Sequence, residues 1–170
     1  MRRIGVLSDT HGQLRDEALR ELEGSELILH AGDVGDLAIL DRLRDIAPVW
    51  AVRGNTDYGE IAAALPLTEC VDLMAPDGVA GNAPSSVLAY VLHGHMPLDL
   101  DPGAAGIRLV VSGHTHLPHL FEEHGVLYLN PGSIGPRRFD KPVSLARVDV
   151  EGEGAAASIS ARIIDLSGEV

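Results

Sequence analysis

Two histidines separated by one residue, His114 and His116, follow an apolar run that stops at a glycine. Side chains two positions apart share one face of a strand, and where the strand ends the two imidazoles can turn towards neighbouring points. That geometry suits two metal ions about 3.5–4 Å apart. The chain also carries other histidines, at positions 30, 119 and 124, so the pair predicts metal ligands only if further ligands join it.

Four more polar clusters supply such ligands. They are Asp9-Thr10-His11, Gly32-Asp33, Gly54-Asn55 and His93-Gly94-His95. A mixture of carboxylate, imidazole and amide groups suits Mn²⁺, Fe²⁺, Co²⁺, Ni²⁺ or Zn²⁺ better than Mg²⁺ or Ca²⁺, which prefer oxygen ligands. A purely structural zinc site is disfavoured because such sites favour cysteine. Two close cations repel each other, and Asp33 is the candidate carboxylate to bridge them.

Each cluster also has a simpler interpretation. An Asp or a His after a strand can cap a helix, Asn-x-Asp can form a turn, and His-Gly-His can lie on the surface. For any single cluster, that interpretation is at least as good as metal binding. Five clusters at five strand ends would require five independent coincidences, so the combined pattern favours a metal centre.

The first part of the chain is typical of strand–loop–helix units. Short apolar runs at residues 4–8, 27–31 and 49–52 predict buried strands. Apolar residues at helical spacing predict helices over 13–23 and 37–47, which end at Gly24 and Pro48. Ligands bind at the carboxyl ends of strands in open parallel sheets, so Asp9, Asp33 and Asn55 are predicted to share one edge.

From residue 67 onwards the pattern favours strands. Strands are predicted over 67–74, 86–92, 107–112, 120–122, 126–129, 143–150 and 155–164, with a loop or distorted hairpin over 78–85. No repeat and no long linker divides the sequence, so a single domain over 1–170 is predicted.

Composition limits the partners. The net charge of −12 and the pI near 4.9 argue against nonspecific attraction to nucleic acid or anionic lipid, but allow a small anionic substrate held by metal. Cys70 is the only cysteine, which is compatible with a reducing compartment. The apolar stretch near the N-terminus is too short for a signal peptide or a membrane span. We expect a cytoplasmic protein without a membrane partner. The sequence is compatible with a homo-oligomer and does not decide the oligomeric state.

The five clusters resemble, in order and spacing, the motifs of the calcineurin-like metallophosphoesterases. The motifs are Asp9-x-His11, Gly32-Asp33-x-x-Asp36, Gly54-Asn55-x-Asp57, His93-Gly94-His95 and Gly113-His114-Thr115-His116. Within this family, the chain resembles the small prokaryotic phosphodiesterase branch more than the other branches, since members of that branch also carry a stretch like Asn130-Pro131-Gly132-Ser133. The resemblance implies an α/β fold, a four-layer αββα sandwich of two mixed sheets flanked by helices.

The resemblance also implies two divalent transition-metal ions, with manganese favoured and iron, nickel, cobalt and zinc as alternatives. The implied ligands of one ion are Asp9, His11, Asp33 and His116. The implied ligands of the other are Asp33, Asn55, His93 and His114. The expected catalytic residues are Asp33, Asn55 and His95, with His95 near the substrate or behind the ligands. Asp36 and Asp57 are expected to anchor loops or to orient ligands.

The implied activity is hydrolysis of a small phosphodiester by a hydroxide that bridges the metals. Arg137 and Arg138 follow the Asn130 loop and are the favoured phosphate ligands, ahead of Arg53. Many members carry a histidine where this chain has Thr56, which cannot act as a general acid, so His95 or a metal-bound water would have to replace it. The alternatives are a phosphomonoesterase or nuclease at the same site, or a non-catalytic scaffold similar to the retromer subunit of this fold.

Overall fold

The computed structural model describes residues 1–81, 83–138 and 140–168. Ten strands and three α-helices lie within this part of the chain. The strands are β1 (Arg2–Leu7), β2 (Leu27–His30), β3 (Val49–Ala51), β4 (Thr68–Asp72), β5 (Leu88–Leu92), β6 (Ile107–Val111), β7 (His119–Glu123), β8 (Val126–Asn130), β9 (Ser144–Glu151) and β10 (Ser158–Asp165). The helices are α1 (Asp16–Leu22), α2 (Leu37–Arg44) and α3 (Gly59–Ala64), and Gly154–Ala156 form a short 3₁₀ turn.

The strands form two mixed sheets of five. The first has the order β10-β9-β1-β2-β3, in which β1, β2 and β3 are parallel and β9 and β10 run antiparallel. The second has the order β4-β5-β6-β8-β7, in which β5, β6 and β8 are parallel. The prediction of two mixed sheets is therefore confirmed.

The main core lies between the two sheets. Ile4 and Leu29 of the first sheet and Val91 and Leu109 of the second belong to this fully buried cluster. Such apolar burial is the dominant favourable term in folding. The two sheets are thus fixed face to face, and the loops at their shared edge are fixed with them.

The helices pack on the outer side of the first sheet. Leu22 of α1, Leu40 of α2 and Ile61 of α3 join one apolar cluster there. On the outer side of the second sheet, Leu98 and Leu100 pack against its apolar residues. Within the described residues the fourth layer is therefore a loop between β5 and β6, where the prediction expected helices.

Several boundaries differ from those predicted. Both predicted helices are shorter, and α3 was not predicted, because its six residues lack an amphipathic repeat and a side-chain cap. Among its described residues, the 78–85 loop holds one isolated bridge, between Val71 and Val79. No helix among the described residues is long and apolar enough to cross a membrane.

Candidate metal centre

The loops that follow the parallel strands meet at one end of the sandwich. Asp9 follows β1, Asp33 follows β2 and Asn55 follows β3, as expected from the sequence. The second sheet contributes His93 after β5, and the His114 loop follows β6. β1, β2 and β3 are parallel in the first sheet, and β5 and β6 are parallel in the second, so each sheet delivers its side chains to one edge. Contacts such as that of His93 with Asp33 show that the two edges meet.

One candidate metal-binding group consists of Asp9, His11 and His116. Their ligand atoms all lie within 4.8 Å of one another. The Nε2 atom of His116 lies 3.1 Å from Asp9 Oδ1 and 3.3 Å from His11 Nε2. Three nitrogen and oxygen donors therefore converge on one small space, as a transition-metal site requires.

A second candidate group consists of Asp9, Asp33 and His93. His93 Nε2 lies 3.3 Å from Asp33 Oδ2 and 4.0 Å from Asp9 Oδ1. The amide oxygen of Asn55 lies 3.2 Å from His93 Nε2 and 3.0 Å from His114 Nδ1, so these two side chains adjoin the second group. All seven predicted ligands thus lie together, in two groups consistent with a dinuclear metal site.

Two carboxylates lie between the groups. Asp9 belongs to both, and Asp33 Oδ2 lies 3.7 Å from His11 Nε2 of the first group. The predicted bridge was Asp33 alone, and the geometry brings Asp9 equally close. Asp9 Oδ1 is buried without a hydrogen-bond partner in the described structure. A buried charged oxygen without a partner is costly, so this donor set fits divalent cations.

The backbone of the centre is strained. Among the described non-glycine residues, six have a positive φ, and five of them are predicted ligands: Asp9 (56°), His11 (46°), Asp33 (53°), His114 (68°) and His116 (58°). The sixth, His124, lies in the turn between β7 and β8. Such conformations cost about 1–3 kcal/mol each and are concentrated at functional sites. The strain therefore points to the same residues as the motifs do.

Two glycines make room for the carboxylates. A Cβ at Gly54 would collide with the carboxylate and backbone of Asp33, and one at Gly113 would collide with Ser8 Oγ and the Asp9 carboxylate. A glycine is required where another group approaches the backbone this closely. Gly54 belongs to the Gly-Asn motif and Gly113 to the Gly-His motif, so steric crowding explains why each motif begins with glycine.

A buried histidine, His30, supports the centre from below. Its Nδ1 accepts the Gly32 N–H at 3.2 Å, so its Nε2 donates to Thr10 Oγ1 at 3.0 Å. Thr10 in turn donates to the Val34 carbonyl at 2.8 Å. Burial lowers the pKa of His30 to about 4, which keeps it neutral. This series of hydrogen bonds ties the Asp9 loop to the Asp33 loop, and no sequence pattern indicated it.

Asp57 and Asp36 act on the backbone. Asp57 accepts the N–H groups of Val34, Gly35 and Gly54 at 3.1, 2.9 and 2.8 Å, which joins the loops after β2 and β3. Asp36 caps α2 by accepting the N–H of Ala38. Both agree with the predicted anchoring of loops.

Asn130 and Ser133 hold the remaining loops. Asn130 donates its amide N–H to the Gly113 carbonyl at 2.7 Å, and Ser133 donates its hydroxyl to the Asp9 carbonyl at 3.0 Å. These bonds connect the β6 and β1 loops to the end of β8 and the segment that follows it. The Asn-Pro-Gly-Ser stretch is therefore a brace behind the ligands.

Both central carboxyl groups stay ionised. Burial alone would raise the pKa of Asp33, but hydrogen bonds from His93 and from the Thr56 N–H hold it far below its usual range. Burial likewise opposes ionisation of Asp9, and the adjacent imidazole of His116 and a hydrogen bond from Ser8 outweigh it, so the pKa is lowered. Two negative charges are thus available to cations at neutral pH.

The exposed rim carries the other predicted residues. Arg138 Nη2 lies 3.4 Å from His11 Nε2, and Arg137 is exposed, with its charge acting on Asp165 of β10. Thr56 donates its backbone N–H to Asp33 Oδ1 at 2.9 Å. The structure therefore brings Arg138 to the first group and leaves Arg137 further out.

His95 lies beside the second group. Its ring centroid is 5.4 Å from that of His93 and 6.3 Å from that of His114. Its Nδ1 is buried without a hydrogen-bond partner among the described residues. Burial and the nearby charges of His93 and His114 lower the pKa of His95.

The family model of the calcineurin-like phosphoesterase superfamily domain matches residues 1–153. The chain belongs to this superfamily. This calcineurin-like phosphoesterase is 36% identical over 137 residues to a probable metallophosphoesterase of Methanocaldococcus jannaschii, with 76% of the chain and 67% of the relative covered. It is 35% identical over 159 residues to one of Methanothermobacter thermautotrophicus, with 87% of each covered. The phosphodiesterase YfcE of Escherichia coli is 26% identical over 171 residues, with 88% of each covered.

Solved structures share the fold of this calcineurin-like phosphoesterase. The Escherichia coli phosphoesterase YfcE superposes with a TM-score of 0.61 at 24% identity, over 86% of this chain and 88% of that one. Vps29 of Chaetomium thermophilum superposes with a TM-score of 0.69 at 18% identity, over 98% and 99%. The predicted family and fold are confirmed, and the family agrees with the predicted enzyme class, a hydrolase acting on phosphoester bonds.

Proposed function

We propose that this chain is a phosphodiesterase that depends on two divalent metal ions. The observation that carries the proposal is the pair of carboxylate–imidazole groups that share Asp9. Their donors are preset by strained backbone and by hydrogen bonds, which is the preorganisation that catalysis needs. The names of the relatives, metallophosphoesterase and phosphodiesterase, support the same reaction class.

The residues would divide between the ions as the family resemblance implies. One ion would be held by Asp9, His11, Asp33 and His116, and the other by Asp33, Asn55, His93 and His114. When bound, such ions lower the pKa of a water molecule and neutralise charge on the phosphoryl oxygens. The nitrogen-rich donor set favours a transition metal, and manganese is the expected one, with iron, nickel, cobalt and zinc as alternatives.

The rim residues would hold the substrate. Arg138, beside His11, would bind a phosphoryl oxygen through its guanidinium N–H groups, and Arg137 would add positive charge from further out. His95 would contact the ester oxygen of the leaving alcohol and donate a proton to it. Thr56 contributes its backbone N–H to Asp33, and its hydroxyl cannot replace a general acid.

A non-catalytic scaffold is the second candidate, because the fold is shared with Vps29. That likeness concerns the fold alone, which does not establish activity. Every predicted ligand position of this chain holds a metal-competent side chain, which favours the enzyme. The net charge of −12 disfavours a nuclease. The cytoplasmic location, a homo-oligomer and a single domain over 1–170 stay predictions.

Hydrolysis of bis-p-nitrophenyl phosphate tests the proposal. The purified chain is stripped with EDTA, reloaded separately with Mn²⁺, Co²⁺, Ni²⁺, Fe²⁺ or Zn²⁺, and its metal content is measured by elemental analysis. We expect two ions per chain and turnover that EDTA abolishes. Turnover of p-nitrophenyl phosphate under the same conditions separates monoester from diester activity. Absence of turnover with every metal would favour the scaffold.

A further inference from the structure

A cleft of about 180 Å³ opens beside the metal centre. It lies between the start of β4 and the turn that follows β5. Its lining includes Leu67, Leu92, His95, Met96, Pro97 and Asp99. Leu67, Leu92, Met96 and Pro97 form its apolar walls, and Thr68 and the predicted ligand His93 line its polar side.

His95 connects this cleft to the centre. The same side chain lines the cleft and lies 5.4 and 6.3 Å, ring to ring, from His93 and His114 of the second group. The backbone N–H of Arg53 donates to the Pro66 carbonyl at 2.8 Å, which fixes the Leu67 wall against the Asn55 loop. A phosphoester bound at the centre would therefore place one of its arms at the mouth of the cleft.

The rim of the cleft is unusually apolar for an exposed surface. Leu67 is 41% exposed and Met96 is 55% exposed. Exposed apolar groups around a concavity mark binding grooves. A cavity of about 150 Å³ is enough for benzene, so this cleft has room for about one six-membered ring.

Charge distinguishes the two sides of the centre. Asp99 brings a carboxylate to the cleft, where it accepts a hydrogen bond from Tyr90 at 3.2 Å. Arg138 brings its cation to the opposite group, beside His11. The cation of Arg53 also acts on His95 at the cleft, so the charges there have no clear excess of positive sign to attract an anionic arm. A neutral arm would instead bury the apolar rim.

We propose that the cleft binds a neutral, apolar arm of the phosphoester, about the size of one ring. The phosphoryl group would then face Arg138 and the neutral alcohol would lie against Leu67 and Met96. This inference rests on the proposed function, since it places the cleft beside the phosphate. It makes the substrate class a diester with one uncharged aromatic or similarly compact alcohol.

Two inhibitors of equal charge test the cleft. Phenylphosphonate and methylphosphonate lack an ester bond and differ only by the ring, so their inhibition constants against bis-p-nitrophenyl phosphate isolate its binding. We expect phenylphosphonate to bind about tenfold more tightly to the metal-loaded wild type. The double variant Leu67→Gln/Met96→Gln should reduce this ratio to about twofold, with methylphosphonate little changed.

Val79→Gln is the matched control, because Val79 is 54% exposed and lies outside the cleft. It should keep the tenfold ratio. Equal binding of the two phosphonates to the wild type would overturn the inference and leave the phosphodiesterase activity standing. A total lack of turnover would instead refute the proposed function, and the cleft would then be tested by binding alone.

Methyl-¹³C methionine labelling provides that binding measurement. The chain has three methionines, Met1, Met74 and Met96, and the variant Met96→Leu assigns the signal of the third. In the zinc-loaded protein, phenylphosphonate should shift the Met96 methyl signal through the ring current, and methylphosphonate should not. Equal shifts, or no shift with either compound, would contradict the proposal.

Discussion

The buried floor of the metal centre and its exposed rim are built differently. On the floor, Asp9 is fully buried and accepts hydrogen bonds from Ser8 Oγ at 2.6 Å and from the His114 N–H at 3.1 Å. On the rim, Arg138 and Met96 are exposed, and both have long, flexible side chains. The difference indicates that the fold fixes the positions of the candidate metal ligands, whereas the rim residues can change without disturbing the core.

Removal of a floor carboxylate should have the largest effect. Asp33→Ala deletes the carboxylate proposed to bridge the two metals and the acceptor of the Thr56 N–H, so we expect kcat/KM to fall by on the order of 10³-fold or more. Elemental analysis should show fewer than two ions per chain. Asp36→Ala, which removes only the cap of α2, should retain activity and lose about 1 kcal/mol of stability. If Asp33→Ala kept both ions, its proposed bridging role would be wrong.

The contribution of His30, the buried histidine below the floor, to the stability of the fold should depend on pH. The pKa of His30 is lowered by burial to about 4, against about 6.5 when unfolded, so the unfolded chain binds the additional proton first. Its contribution to stability is therefore complete above pH 6.5 and is lost as the pH falls towards 4. In EDTA, urea unfolding should show that His30→Gln loses less stability over this range than the wild type, by about 2–3 kcal/mol. The exposed variant His119→Gln should behave as the wild type, and identical pH slopes for all three would disprove the assignment.

The rim should give smaller and more selective effects. Arg138→Gln removes a cation beside His11, so we expect KM for bis-p-nitrophenyl phosphate to rise about tenfold with a smaller change in kcat. The neighbouring variant Arg137→Gln should change KM by no more than about twofold, because that side chain lies further out. Steady-state kinetics at constant metal content measure both. A larger effect at Arg137 than at Arg138 would reverse their proposed order.

Sequence patterns predicted the floor well because its residues follow short apolar strands. Continuous apolar runs are typical of parallel strands buried on both faces, and β1, β2 and β3 lie within a residue or two of their predicted limits. Once the strands were located, the position of Asp9, Asp33 and Asn55 at one edge followed from the parallel topology. The histidines of the second sheet were then predicted as ligands from the order of the motifs, which resembles that of the family.

The sequence could not predict contacts between distant segments. His30 was one histidine among eight, and its role depends on Thr10, twenty residues earlier. The hydrogen bond from the Thr56 backbone to Asp33 is independent of side-chain type, so the residue identity gave no indication of it. Leu98 and Leu100 cover the second sheet from a loop that has no helical or strand periodicity.

The left-handed backbone of the five predicted ligands has a consequence for how metals are acquired. The free energy of holding these residues in rare conformations is expended when the chain folds, before any ion arrives. An ion that bound here would meet ligands whose backbone conformation is already set, so we expect little of its affinity to be lost to reorganisation. Replacing the exposed His114 with glycine should accordingly raise the heat resistance of the apo-protein and lower its capacity for metal.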